Sequence, residues 1–273
     1  MRRTLLSLVS SVVVLLVGCA GQQAQQGGAN GQPTQSVTPT GTLSTQDDAK
    51  RRARIRVELA ANYYAQGQYD VALGEIKEAL RSDQNLPEAY SMLGLIYMSQ
   101  QDNRQAEESF QYALKLSPGN ADISNNYGWF LCQTARIKES IPLFLAATQT
   151  PVLNTAAKAY VNAGICSMKM GDLPSAERYF AKGFELEPSN PLANFNLGTL
   201  YLRRGDLERA RFYGRRAYQG SNVTPTPESL LLGIKIERAA GDRASETVLI
   251  TQLKKLYPNS RQALALDRGE LVD

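Results

Sequence analysis

Residues 87–118 of this chain read PEAYSMLGLIYMSQQDNRQAEESFQYALKLSP. Tyr90, Leu93, Gly94 and Tyr97 form one set at helical steps of three and four, and Ala106, Phe110 and Ala113 form a second. The polar run 99–104 interrupts the apolar pattern between them, so the stretch predicts helix, turn and helix. Gly94 and Ala106 fall where the two helices must approach most closely, and only small side chains fit there. Pro118 ends the second helix, since proline lacks the N–H and clashes with the preceding turn.

The pattern recurs along the chain. An earlier copy holds Leu59, Ala60, Tyr63, Gly67, Ala72, Ile76 and Ala79, with Gln84 in place of the closing proline. A third holds Tyr127, Gly128, Leu131, Phe144 and Ala147, followed by a two-residue insertion around 149–152. A fourth holds Ala163, Gly164, Gly171, Ala176, Phe180 and Pro188; a fifth Leu197, Gly198, Tyr201, Gly205, Ala210 and Ala217. The sixth is degenerate, with Leu232, Gly233, Ile236, Gly241, Ile250, Leu253 and Pro258, and is read with one extra residue in its turn. These units resemble the tetratricopeptide repeat, a helix pair of about 34 residues. The expected fold is therefore all-α: a right-handed superhelix, or α-solenoid, of six such repeats at about 53–86, 87–120, 121–156, 157–190, 191–225 and 226–259. A single pair cannot bury its apolar face alone, so neighbours stack and curve around a concave surface. Residues 261–266 read as part of a capping helix, and the whole repeat domain as 47–273.

The start of the chain has a different character. Arg2 and Arg3 precede a largely apolar run, 5–17, too short to span a bilayer comfortably. It ends in Leu16-Val17-Gly18-Cys19, which resembles the bacterial lipobox. That resemblance implies a signal peptide over 1–18 and a lipidated Cys19 held in the membrane by several acyl chains. Ala20 rather than aspartate follows, which by the same resemblance implies the outer membrane, with the domain facing the periplasm. Residues 19–46 then read as a flexible, uncharged tether of Gln, Gly, Thr, Ser, Pro and Ala. Too little of it is apolar to offset its ordering entropy, and its reach is about 30 Å root-mean-square.

Composition excludes several chemistries. The chain has no histidine, which removes Ser-His-Asp and Cys-His catalysis and any histidine-ligated metal. Its glycines fall at repeat positions rather than in a phosphate loop. Carboxylate pairs such as Glu107-Glu108 sit beside Arg104 and Lys115 on solvated faces. No catalytic residue, metal, cofactor or small-molecule substrate is expected, and the chain is read as a non-enzyme. The formal charge of +4 owes half its excess to Arg2 and Arg3, and nucleic acid is not an expected partner of an exported protein. The cluster Lys50, Arg51, Arg52, Arg54 and Arg56 faces either anionic headgroups, an acidic partner or simply solvent.

With Cys19 assigned to lipid, Cys132 and Cys166 remain, on the first helices of successive repeats. Those helices are neighbours, so in an oxidising compartment a disulfide is geometrically allowed; the alternative is two buried small apolar residues. Positions five, nine and twelve of each repeat are expected on the concave face. They are Val57, Ala61 and Tyr64; Ser91, Leu95 and Met98; Asn125, Trp129 and Cys132; Val161, Ile165 and Met168; and Phe195, Thr199 and Leu202. Val57, Ala61, Tyr64, Leu95, Met98, Asn125, Trp129, Ile165, Met168 and Phe195 form the candidate partner-binding groove, with Trp129 as its anchor. The opposing reading buries several of them between helices. Val57 and Ala61 stand where a carboxylate-clamping repeat would carry Lys and Asn, so an apolar segment suits the groove better than a chain terminus.

Three stretches carry a narrower resemblance: 125–132 (NNYGWFLC), 229–234 (SLLLGI) and 253–258 (LKKLYP). With the lipobox and six repeats, the chain is similar to the type IV pilus biogenesis lipoproteins called PilF or PilW. Members of that family are pilotins, which help a secretin reach the outer membrane and form its multimeric ring. The resemblance implies the secretin as partner. The competing reading is a lipidated repeat adaptor for peptidoglycan enzymes or for outer-membrane barrel assembly.

Overall fold

The computed structural model describes residues 45–220 and 223–270, and the signal peptide, Cys19 and nearly all of the expected tether lie outside that range. Among the described residues there are thirteen α-helices and no strand. They run α1 (Thr45–Ala65), α2 (Tyr69–Ser82), α3 (Pro87–Ser99), α4 (Asn103–Leu116), α5 (Ala121–Gln133) and α6 (Ile137–Ala147). After them come α7 (Leu153–Lys169), α8 (Leu173–Leu186), α9 (Pro191–Arg203), α10 (Leu207–Gln219), α11 (Pro227–Ala239), α12 (Arg243–Leu256) and α13 (Arg261–Asp267). The first twelve form six pairs, and α13 packs on α11 and α12 as a cap.

Each pair turns in three residues, and the middle one has positive φ. Gly67, Gly171, Gly205 and Gly241 supply it in four pairs, while Gln101 and Ala135 adopt it at φ 63° in the second and third. Asp102, Asp172, Asp206 and Asp242 then cap the second helix, each accepting a backbone N–H three residues on at 3.0 Å. Gln68 and Arg136, at the same position in the first and third pairs, make no side-chain cap.

Within a pair, one aromatic ring fills the space that a glycine leaves. A Cβ on Gly94, Gly128 or Gly164 would come within 2.6, 2.9 or 2.5 Å of the rings of Phe110, Phe144 and Phe180. All three rings are fully buried. In the fifth pair the lock is backbone on backbone, with Gly198 facing Gly214. Between pairs the second helix packs on the next first helix, as where Phe110 stacks on Tyr127 at 5.7 Å and 20°.

Three boundaries differ from the sequence expectation. α1 begins at Thr45, inside the expected tether, and adds two turns ahead of the first repeat. α7 begins at Leu153, before the expected 157 and directly after the 149–152 insertion. The sixth pair has an ordinary turn through Ala240, Gly241 and Asp242; the extra length sits in the connector 220–226 instead. Counted back from Gly241, the buried Ile234 rather than Gly233 occupies the place that Gly198 holds in the fifth pair.

Candidate interaction surface

The first helices α1, α3, α5, α7, α9 and α11 approach one another backbone to backbone in series, whereas among the described residues the second helices meet at most through long side chains, as where Phe184 of α8 packs on Tyr213 of α10 at 5.3 Å. The first helices therefore line the tighter, inner side of the stack. Polar side chains stitch that side together. Tyr64 and Ser99 share a hydrogen bond of 2.9 Å, Asn126 donates to Ser91 at 3.2 Å, and Asn162 donates to Asn125 at 2.9 Å. Each such bond contributes on the order of 1 kcal/mol net, enough to fix the angle between neighbouring pairs.

Asn125 is consequently not a groove residue. It is 2% exposed and spends its carbonyl on Asn162, so its polarity serves the joint between α5 and α7. Ser91, Cys132 and Val161 are buried as well. The remaining candidates, Val57, Ala61, Tyr64, Leu95, Met98, Trp129, Ile165, Met168 and Phe195, are half-buried. All but Ala61 lean on the core of their own or the next pair. They offer an apolar edge along the inner face rather than fully exposed side chains. Lys169 lies 5.6 Å from the centre of the Trp129 ring and also donates to Gln133, which ties the ring to α7. Cys132 and Cys166 are joined by a disulfide, with Cα atoms 5.9 Å apart, directly beneath this edge.

In the basic cluster, Arg51 pairs with Asp48 and Arg56 with Glu75 (2.6 Å), while Arg52 and Arg54 are exposed on α1. The shifted titrations lie in structural clamps outside the apolar edge. Burial, reinforced by a hydrogen bond to Glu177 at 2.7 Å, pushes the Tyr201 hydroxyl up to about 12. Burial likewise raises Tyr127, whose hydroxyl donates to Glu107 at 3.0 Å. Among the described residues no cluster of Cys, Asp and Glu could hold a metal, and no helix is long and apolar enough to cross a membrane.

The inner face also holds a feature outside the expected groove. A pocket of about 590 Å³ opens between α9, α11 and α13, walled by Phe195, Thr199 and Leu202, by Leu231, Leu232 and Lys235, and by Arg261. Leu231 and Lys235 are positions five and nine of the sixth repeat when it is counted from Pro227. Misplacing its extra residue in the turn shifts that count by one and hides both. The Thr226-Pro227 helix start, with its capping box to Ser229, is the signal that restores it.

Tetratricopeptide repeat models match residues 62–101, 87–120 and 167–223. The type IV pilus assembly protein PilF of Pseudomonas aeruginosa is 28% identical over 204 residues, covering 75% of this chain and 80% of PilF. The crystal structure of PilW, a widely conserved type IV pilus biogenesis factor, superposes with a TM-score of 0.67 at 32% identity, covering 78% of this chain and 97% of PilW. The structure of Pseudomonas aeruginosa PilF superposes with a TM-score of 0.68 at 26% identity, covering 82% and 99%.

Proposed function

This chain belongs to the PilF/PilW family of type IV pilus biogenesis factors, and from that premise we propose that it is a pilotin for the secretin of the pilus system. It binds secretin subunits and promotes their arrival and multimerisation in the outer membrane. The reading has three physical parts. Lipid on Cys19 anchors the protein to the inner leaflet of the outer membrane. The segment 20–44 lets the repeat domain reach into the periplasm. The inner face holds one secretin segment, shields it from edge-to-edge aggregation and raises its effective concentration at the membrane.

The observation that carries the binding site is the half-buried apolar edge from Val57 to Phe195. An incoming apolar segment completes the burial of these side chains, at about 25 cal/mol for each Å² removed from water, without reorganising a rigid stack. The protein acts by holding its partner and catalyses nothing.

The test is heat-stable secretin multimers in separated membranes of a strain lacking this protein, complemented with wild type, Leu95→Asp or Trp129→Ala. The expected result is a loss of multimers from the outer membrane in the deletion strain and a partial loss with each variant. Thermal melting of the purified variants separates binding from folding. Wild-type multimer levels in all strains, with peptidoglycan hydrolases or barrel-assembly factors captured instead, overturn the reading in favour of an adaptor.

A further inference from the structure

At the carboxyl-terminal end of the stack the inner face changes character. α9 contributes Phe195, Thr199 and Leu202 at steps of four and three, and α11 contributes Glu228, Leu231, Leu232 and Lys235 at steps of three and four. Both sets lie on one helical face. A third wall comes from Arg261 and Gln262 of α13. α13 has 7 residues, against 13 in α9 and in α11. It closes one side of the pocket without continuing the groove.

The floor is apolar and the rim is basic. Leu231 and Leu232 are almost fully buried, and Phe195 and Leu202 are half-buried. Arg203 and Arg261 stand around them, and among the described lining residues the one carboxylate is Glu228, which accepts a hydrogen bond from Gln262 at 2.8 Å. Arg203 and Arg261 are exposed and make no ion pair among the described residues. A volume of about 590 Å³ accommodates one large side chain with its flanking backbone.

We propose that this pocket is a second interaction site, for a partner segment that inserts one bulky apolar side chain and presents carboxylates on either side of it. The apolar residue fills the space over Leu231 and Leu232. Its acidic neighbours lie against Arg203 and Arg261, within the roughly 8 Å over which exposed charges act at physiological salt. The site does not depend on the secretin reading, because none of its charged residues belongs to the upstream edge.

Fluorescence anisotropy on the full mature protein tests it, with a labelled peptide carrying a central phenylalanine between aspartates. One control replaces the aspartates by asparagines and another replaces the phenylalanine by alanine. Two rim ion pairs in the upper half of the range for exposed pairs correspond to about tenfold in affinity. The asparagine peptide is therefore expected to bind about tenfold more weakly, and raising the salt concentration should close the gap. Arg203→Glu with Arg261→Glu should reverse the preference toward a lysine-flanked peptide. Both residues are on the surface, so the fold tolerates the exchange, and an unchanged melting temperature verifies that. Equal binding of the aspartate and asparagine peptides overturns the proposal, as does insensitivity to the double exchange or no binding at all. Loss of secretin multimers in the Leu95→Asp strain while the peptide still binds separates this site from the upstream one.

Discussion

In the fourth helix pair the chain turns at Gly171, caps the second helix with Asp172 and completes 14 residues of α8. In the third it turns at Ala135 with φ 63°, follows with Arg136, which caps nothing, and forms an α6 of 11 residues with Pro142 inside it. The turn glycine, the aspartate cap and the full second helix of the fourth pair are all missing from the third, yet both pairs stack alike. The third pair is held from outside. Arg136 reaches back to Glu107 of α4 at 2.6 Å and forward to Glu139 at 2.7 Å. Cys132 is bonded to Cys166 of the following pair. A solenoid unit with weak local chemistry keeps its geometry when its neighbours are tied to it, because its stability is a sum of intrinsic and nearest-neighbour contributions.

That difference can be broken most directly at the disulfide. Cys132→Ala with Cys166→Ala should cost about 3–4 kcal/mol for a loop closed over 34 residues. Denaturant titration should then show the third pair unfolding first, and a unified, unshifted transition would refute the tie. A lock common to both pairs comes next. Gly164→Leu and Gly128→Leu drive a side chain into Phe180 and Phe144 and should each cost about 1–3 kcal/mol. An unchanged melting midpoint would count against the glycine–ring register.

Acid should separate the pairs more gently. Bonds chiefly from the Gln105 amide, the Ser175 and Arg209 side chains and the Ser245 amide hold Asp102, Asp172, Asp206 and Asp242 below the usual carboxylate range. Their folded pKa values lie below the unfolded value of about 3.9. Their contribution is thus complete above that pH and is lost as the pH falls through the folded values. Hydrogen exchange at decreasing pH should loosen the first turns of α4, α8, α10 and α12 before that of α2, whose cap position Gln68 carries no carboxylate. The smallest effect should come from Ala135→Gly, which relieves a left-handed alanine and should gain up to about 1 kcal/mol. Gly171→Ala, the mirror experiment, should lose a similar amount, and melting midpoints moving the same way would break the comparison.

How much of this was legible in the sequence depends on whether a residue answers to its own pair. Gly94, Phe110, Ala106 and their counterparts meet inside one pair at fixed spacing, so the repeat and its register stood out, and the all-α solenoid followed. The start of α1 at Thr45 and of α7 at Leu153 carried no such mark, because those extra turns lie ahead of the paired part of each helix. Asn125 was misplaced for the same reason. Its partner, Asn162, lies in another repeat, and position five reads as exposed until the neighbour is docked. The pocket above Leu231 was missed through one residue of slippage, since Gly233 imitates a lock position that Ile234 occupies.

Helix pairs that touch only the adjacent pairs also set the order in which the molecule can be built. No pair waits for a distant part of the chain; each requires only the next stretch of about 34 residues before it can dock. A polypeptide delivered amino terminus first can therefore fold as it emerges, with little long-range loop closure to slow it. The bond between Cys132 and Cys166 is set one repeat after its first half appears, before the last two pairs have arrived.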